Sequence, residues 1–328
     1  MKSIKRSLQR LLYSGGLTKQ ALKMRAGSPI ILMYHGVTEN SSNNLQNCEG
    51  KHIRSDLFLD QIRFLRKYRK VIRLTDMVEG IRRGDDLRNT VALTFDDGYE
   101  NNHTVAAKIL SDFNAPASFF LATGYIGVNR WMWTDRLEHA LGKTERNTIT
   151  ISGLPGIITL AMPAEKKLAL RRIKAYLKQQ TGDACESYTR KLERDLGLSE
   201  NEPYGDYRFM KWQQVKELSN AGFEVGAHTV NHPILSRIKR EDAINEILTS
   251  RERIRAEIDK CSEVFCYPNG KTCDYTPEIA AFCKTHFRAA LSTNRGPARA
   301  TDLYELNRLG VSGDTVLSNF AWSLFREQ

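Results

Sequence analysis

With 328 residues, 41 % apolar and 27 % charged, the chain can bury a full core and is globular, which excludes a disordered or fibrous protein. Its formal net charge of +11 is uneven: residues 1–27 hold seven cations (Lys2, Lys5, Arg6, Arg10, Lys19, Lys23 and Arg25) and no acid, and everything after them carries only +4. That distribution describes an ordinary domain behind a basic leader and excludes a uniformly basic nucleic-acid binder.

In the leader, Ile4, Leu8, Leu11 and Leu12 form one helical stripe opposite the cations. Residues 1–25 read either as an interfacial helix on an anionic membrane or as a helix docked on its own domain. Charge interrupts the apolar residues too often for a secretion signal, and no run approaches ~18 apolar residues. Residues 29–34 then read as a buried strand, released into His35 and Gly36. Helix spacing follows over 57–68, and a weaker strand over 71–74.

Residues 91–95 form the next strand, running into Asp96, Asp97 and Gly98. Adjacent carboxylates at a strand end are either a helix cap with a turn or a pair aimed into one site, where a cation must neutralise one of them. A helix over 105–113 and a strand over 117–122 continue the alternation. From about 129 to 207 the rhythm breaks. Trp131 and Trp133 open this segment, a β-like piece covers 148–160, and two polar helices cover 164–180 and 185–196. It reads as a lid-like insertion.

The alternation resumes with a helix over 212–221 and a strand over 223–227, followed by His228-Thr229-Val230-Asn231-His232-Pro233. Histidines four apart commonly offer two imidazoles to one metal, and Pro233 keeps His232 out of a long helix. Next come a helix over 243–258, a strand over 264–267 entering Tyr267-Pro268-Asn269-Gly270, a helix over 279–286, and strands over 287–292 and 306–311, the last containing Arg308. The six cysteines include no C-x-x-C pair, and in a chain this long they read as reduced thiols. Strands alternating with helices imply a parallel sheet whose chemistry collects at the strand carboxyl ends. Two histidines and a carboxylate make a divalent-metal triad, zinc being the default, with the second carboxylate left to act as base.

Thr94–Gly98 (TFDDG), His228–His232 (HTVNH) and Tyr267–Gly270 (YPNG) resemble the polysaccharide deacetylase family, carbohydrate esterase family 4, over about residues 29–311. The resemblance implies an α/β fold, a distorted (β/α)7 TIM-like barrel spanning 28–328 with the 129–207 insertion. It implies Asp97, His228 and His232 as metal ligands, Asp96 as general base, and Tyr267, Pro268, Asn269 and Gly270 as a groove wall with an oxyanion-binding amide near Asn269. Two family features are missing: an Arg shortly before Pro268, and a C-terminal Leu-x-His acid. The chain thus resembles the permuted exopolysaccharide deacetylase subgroup, in which His35 supplies the acid. Arg308 becomes the candidate to hold Asp96, or a surface salt-bridge residue. Trp133 becomes a candidate sugar platform, or core packing. The implied activity is metal-dependent N-deacetylation of an amino sugar in bacterial surface-polysaccharide or lipopolysaccharide (O-antigen) synthesis. The substrate is an N-acylated sugar or glycan, free or lipid-linked, met in the cytoplasm at the inner membrane face, with no nucleic-acid partner. A deformylase of a lipid-linked formamido sugar is the alternative within the class, because one methyl separates the acyl groups. A non-catalytic glycan-binding module would have lost an Asp or His of the site, and all are present.

Overall fold

The computed structural model describes residues 13–15, 27–39, 45–198, 203, 205–299 and 303–326. Apart from 13–15, the leader lies outside them, including the apolar stripe and the seven cations. The strands are β1 (Ile30–Tyr34), β2 (Gly36–Thr38), β3 (His52–Arg54), β4 (Lys70–Val71), β5 (Thr90–Phe95), β6 (Ser118–Leu121), β7 (Thr148–Ile149), β8 (Ile158–Thr159), β9 (Glu224–Ala227), β10 (Val264–Cys266), β11 (Ala289–Leu291) and β12 (Leu309–Gly310). The helices are α1 (Ser55–Tyr68), α2 (Leu74–Arg83), α3 (Ala107–Asp112), α4 (Trp133–Lys143), α5 (Pro163–Leu177), α6 (Gly182–Asp195), α7 (Trp212–Asn220), α8 (Arg240–Ile258), α9 (Pro277–His286) and α10 (Leu317–Arg326).

One parallel sheet runs β11-β10-β9-β6-β5-β1-β12, with β4 also on β5. An isolated parallel bridge from Leu291 to Leu306, just before β12, draws the two edges together. The chain is an α/β protein with a curled, distorted barrel. Its central strands read as continuous apolar runs because helices cover them on one side and the barrel interior on the other; all six residues of β5 are buried. Register fixes the site. Tyr34 pairs with Phe95, and Leu121 with Ala227, so His35, Asp96 and His228 leave their strands at one rim.

Residues 71–74 are not a strand: β4 stops at Val71 and α2 starts at Leu74. Leu74, Met77, Val78 and Ile81 recur at helical spacing, and Gly84 closes the helix at φ 74°. The segment before α3 opens as a π turn, Asn102–Ala106. The β7–β8 hairpin, α4, α5 and α6 pack around a core of their own that includes Leu137, Leu141, Leu170, Ile173 and Leu192. Arg136 of α4 pairs with Glu193 and Glu186 of α6, which ties the first helix of this segment to the last.

Candidate active site

Asp96 and Asp97 follow β5, both nearly fully buried. Asp97 sits at φ 75°, and this left-handed turn lets two successive carboxylates serve one site rather than opposite faces of a strand. Its Oδ1 lies 3.7 Å from His228 Nε2 and 3.5 Å from His232 Nε2. Those separations exceed hydrogen bonds, but suit three ligand atoms that each lie about 2 Å from one ion. His228 Nδ1 donates to the Cys266 carbonyl at 2.7 Å. A carbonyl only accepts, so Nε2 is the lone-pair nitrogen facing Asp97. Burial, partly opposed by Asp97, pulls His232 down to about 3, which keeps its ring neutral as a ligand requires. The donor set therefore fits a divalent cation. A second grouping, Asp96, His228 and Cys266, fits poorly, because a guanidinium already occupies both oxygens of Asp96.

That guanidinium belongs to Arg308, 1 % exposed. It forks onto Asp96 with two 2.7 Å bonds, donates to Thr94 Oγ1 at 3.2 Å and anchors its Nε on the Ser292 carbonyl at 2.9 Å. Burial pushes the Asp96 carboxyl up, but Arg308 outweighs it, and the group stays well below the usual carboxylate range. Cys266 Sγ lies 3.5 Å from Asp96 Oδ1. His35, between β1 and β2, faces both carboxylates; burial lowers its pKa against their pull. The structure thus brings Asp96, Asp97, His228, His232, His35 and Arg308 to one rim.

The groove-wall candidates divide. Tyr267 is fully buried, its ring stacked 4.0 Å from Tyr275, so it shapes the loop from beneath and does not face the groove. Pro268 and Gly270 are buried too. Asn269, at φ 57°, reaches a groove of about 810 Å³, which Trp133, Tyr125, Lys178 and His232 also line. Trp133 is half-buried there, whereas Trp131 packs on Tyr207 and His139. Lys178, at the end of α5, donates to Asn269 Oδ1 at 2.7 Å, so the segment over 129–207 forms part of the groove wall.

Sequence reasoning missed Lys51. Its ammonium lies 2.5 Å from Asp135 Oδ1 and 2.7 Å from the Tyr99 hydroxyl, which itself donates to Asp135 at 2.6 Å. Burial disfavours the charge, but Asp135 and Asp97 outweigh that and raise the pKa. Lys51 precedes β3 in an irregular stretch with no motif around it; the aspartate of Trp133-Thr134-Asp135 was the one available pointer.

The family model described as polysaccharide deacetylase matches residues 83–287. Solved structures that resemble this one include the following three. A Streptococcus pyogenes deacetylase, PplD, in complex with acetate, has TM-score 0.60 and 17 % identity, covering 92 % of this chain and 99 % of that one. IcaB from Ammonifex degensii has TM-score 0.60 and 16 % identity, over 92 % and 98 % of the two chains. A de-N-acetylase from Aggregatibacter actinomycetemcomitans has TM-score 0.54 and 15 % identity, over 90 % and 99 %. At such identities these show a shared fold. No curated protein sequence matches the chain.

Proposed function

The chain belongs to the polysaccharide deacetylase family and is a carbohydrate de-N-acetylase, and we propose that it hydrolyses the acetamide of an amino sugar in a bacterial surface polysaccharide or lipopolysaccharide. The observation that carries this reading is the Asp97, His228 and His232 triad with Asp96 locked beside it in the Arg308 fork. A divalent cation, zinc by donor preference, would supply carbonyl polarisation and a more acidic water when held by the triad.

The chain's own residues carry the rest. Asp96 accepts the proton of the attacking water, and Arg308 fixes which lone pairs it presents. A low pKa makes Asp96 a weak base in isolation, so its contribution is orientation together with a permanently ionised carboxylate. The backbone near Asn269 offers an amide to the developing oxyanion, a contact worth about 3 kcal/mol. His35 is the group that hands a proton to the nitrogen as the C–N bond breaks, releasing acetate and a free amine; because burial lowers its pKa, it does so from an imidazolium that forms only below the ordinary histidine range. Trp133 and Lys178 flank the sugar in the groove.

We place the reaction on a lipid-linked glycan precursor at the cytoplasmic membrane face, supported by the basic leader in the sequence. Among the described residues no helix is long and apolar enough to cross a membrane. The test is mass spectrometry of the surface glycan and its lipid-linked precursor from cells with and without the gene. Retention of one acetyl per repeat in the deletion strain supports the reading, retention of a formyl replaces it with deformylation, and an unchanged glycan refutes it.

A further inference from the structure

Residues 147–164 contain no charged side chain, in a protein that is 27 % charged. This stretch, the β7–β8 hairpin and the start of α5, is mostly surface. Ile157, Met162 and Leu168 are 69 %, 60 % and 67 % exposed, three of the four large apolar side chains left exposed among the described residues. Arg172 donates to the Pro155 carbonyl and so holds the hairpin loop against the helix. Isolated exposed apolar residues need no explanation, but several on one small module mark a contact surface.

Immediately beyond Ala164 the composition reverses. Helix α5 and its cap carry Lys166, Lys167, Arg171, Arg172, Lys174 and Lys178 against a single acid, Glu165. Lys166, Arg172, Lys174 and Lys178 are spent on Thr144, Pro155, Glu49 and Asn269. Lys167 and Arg171 make no hydrogen bond or ion pair among the described residues, and Arg171 stands one turn from Leu168 on the exposed face. Exposed apolar side chains on this module, with unspent cations on the same helix, complement an anionic bilayer surface in both respects. A second copy fits worse, since a two-fold contact would set this cationic rim against itself.

We propose that the hairpin and α5 seat on an anionic lipid surface. Ile157, Met162 and Leu168 enter the headgroup boundary, and Lys167 and Arg171 meet lipid phosphates. The inference goes beyond the deacetylase reading and does not use it, because the measurement is of lipid partition and not of turnover.

The experiment is co-sedimentation of the full chain with phosphatidylcholine vesicles, with and without phosphatidylglycerol. Two variants are compared with the wild type: Ile157→Ser/Met162→Gln/Leu168→Gln, and Lys167→Glu/Arg171→Glu. The wild type is expected to partition onto the anionic vesicles and to come off in salt. Each variant is expected to bind them about tenfold less, with the unfolding midpoint unchanged. If the apolar variant fails to fold, the charge-reversed one carries the test alone. Wild-type partition in both variants overturns the proposal, because some other part of the chain then does the binding. So does a wild type that ignores anionic vesicles, or an apolar variant that changes only self-association.

Discussion

Replacing Arg308 with methionine removes the fork from Asp96 and leaves a carboxylate that is 2 % exposed without its partner. Breaking a buried pair from one side costs about 3–5 kcal/mol, mostly the penalty of stranding the remaining charge. The sign with pH follows from the direction of the shift. In the wild type Asp96 is depressed, so its pairing stabilises the fold above the ordinary carboxylate range and is lost as pH falls through it. In Arg308→Met burial acts with far less opposition, the carboxyl rises, and the base begins to be protonated where the wild type is fully ionised. Two readouts should therefore move together. Urea unfolding at neutral pH should show the stability loss, and the acid limb of kcat/KM for acetate release from an N-acetylated oligosaccharide should shift upward. The rate itself should fall about 10²-fold or more with a misplaced base. Arg308→Lys keeps the charge without the planar fork, so it should hold the acid limb near its wild-type position while losing rate. A methionine variant with wild-type stability and an unmoved acid limb would refute the assignment of Arg308 as the positioning residue.

His228→Ala should abolish stoichiometric metal, read by elemental analysis of the purified protein, whereas Asp96→Asn should keep the metal and lose at least about 10²-fold in turnover. Lys51→Met should act in opposite directions on two measurements. Stability should fall by about 2–4 kcal/mol as Asp135 loses its ion pair, yet cation affinity should rise several-fold, because an ammonium no longer opposes a second positive charge beside Asp97. Burial holds His52 down at about 4, so the folded chain resists a proton that the unfolded chain binds near 6.5. Wild-type stability should then drop as pH falls from 6.5 toward 4, by about 2–3 kcal/mol from this group, and His52→Gln should flatten that slope in urea titrations at several pH values.

The sequence made the barrel strands and the paired carboxylates visible for one physical reason: each is a local pattern. A short, mostly apolar run followed by two aspartates and a glycine can be read without knowing its neighbours, and so can two histidines four apart. Helix α2 was as local, but its apolar stripe starts only three residues after β4, and the two patterns merge into one short apolar run. Arg308 could be named from the sequence as a candidate partner of Asp96, but nothing local set it apart from a surface salt-bridge residue. Its pairing with Asp96 spans 212 positions and depends on β12 lying beside β1. Lys51 had neither motif nor periodicity, since its role comes from α4 folding back to present Asp135. The depth of Tyr267 was hidden differently. A tyrosine in a motif invites a substrate-facing role, and only the stack on Tyr275 turns it into the floor of the loop.

Backbone strain ties these contributions together. Eight non-glycine residues among those described hold positive φ, and four of them, Asp97, Thr229, His232 and Asn269, are in or beside the site. For Asp, Asn and His that conformation is tolerable, but for β-branched Thr229 it is a true outlier. Thr229 is fully buried, and its hydroxyl accepts the His232 amide at 3.1 Å, which is what turns the chain back so that two histidines from one short loop face the same carboxylate. The His228 ring is held independently by the Cys266 carbonyl, and Asp96 by Arg308. The first of these contacts lies within the loop, and the other two come from neighbouring parts of the barrel. The side chains proposed as ligands are therefore held by contacts of the protein's own, Thr229 to the His232 amide and the Cys266 carbonyl to the His228 ring. That is the arrangement a hydrolytic site needs, because a cation that must organise its own ligands has less of its binding energy left to act on the substrate.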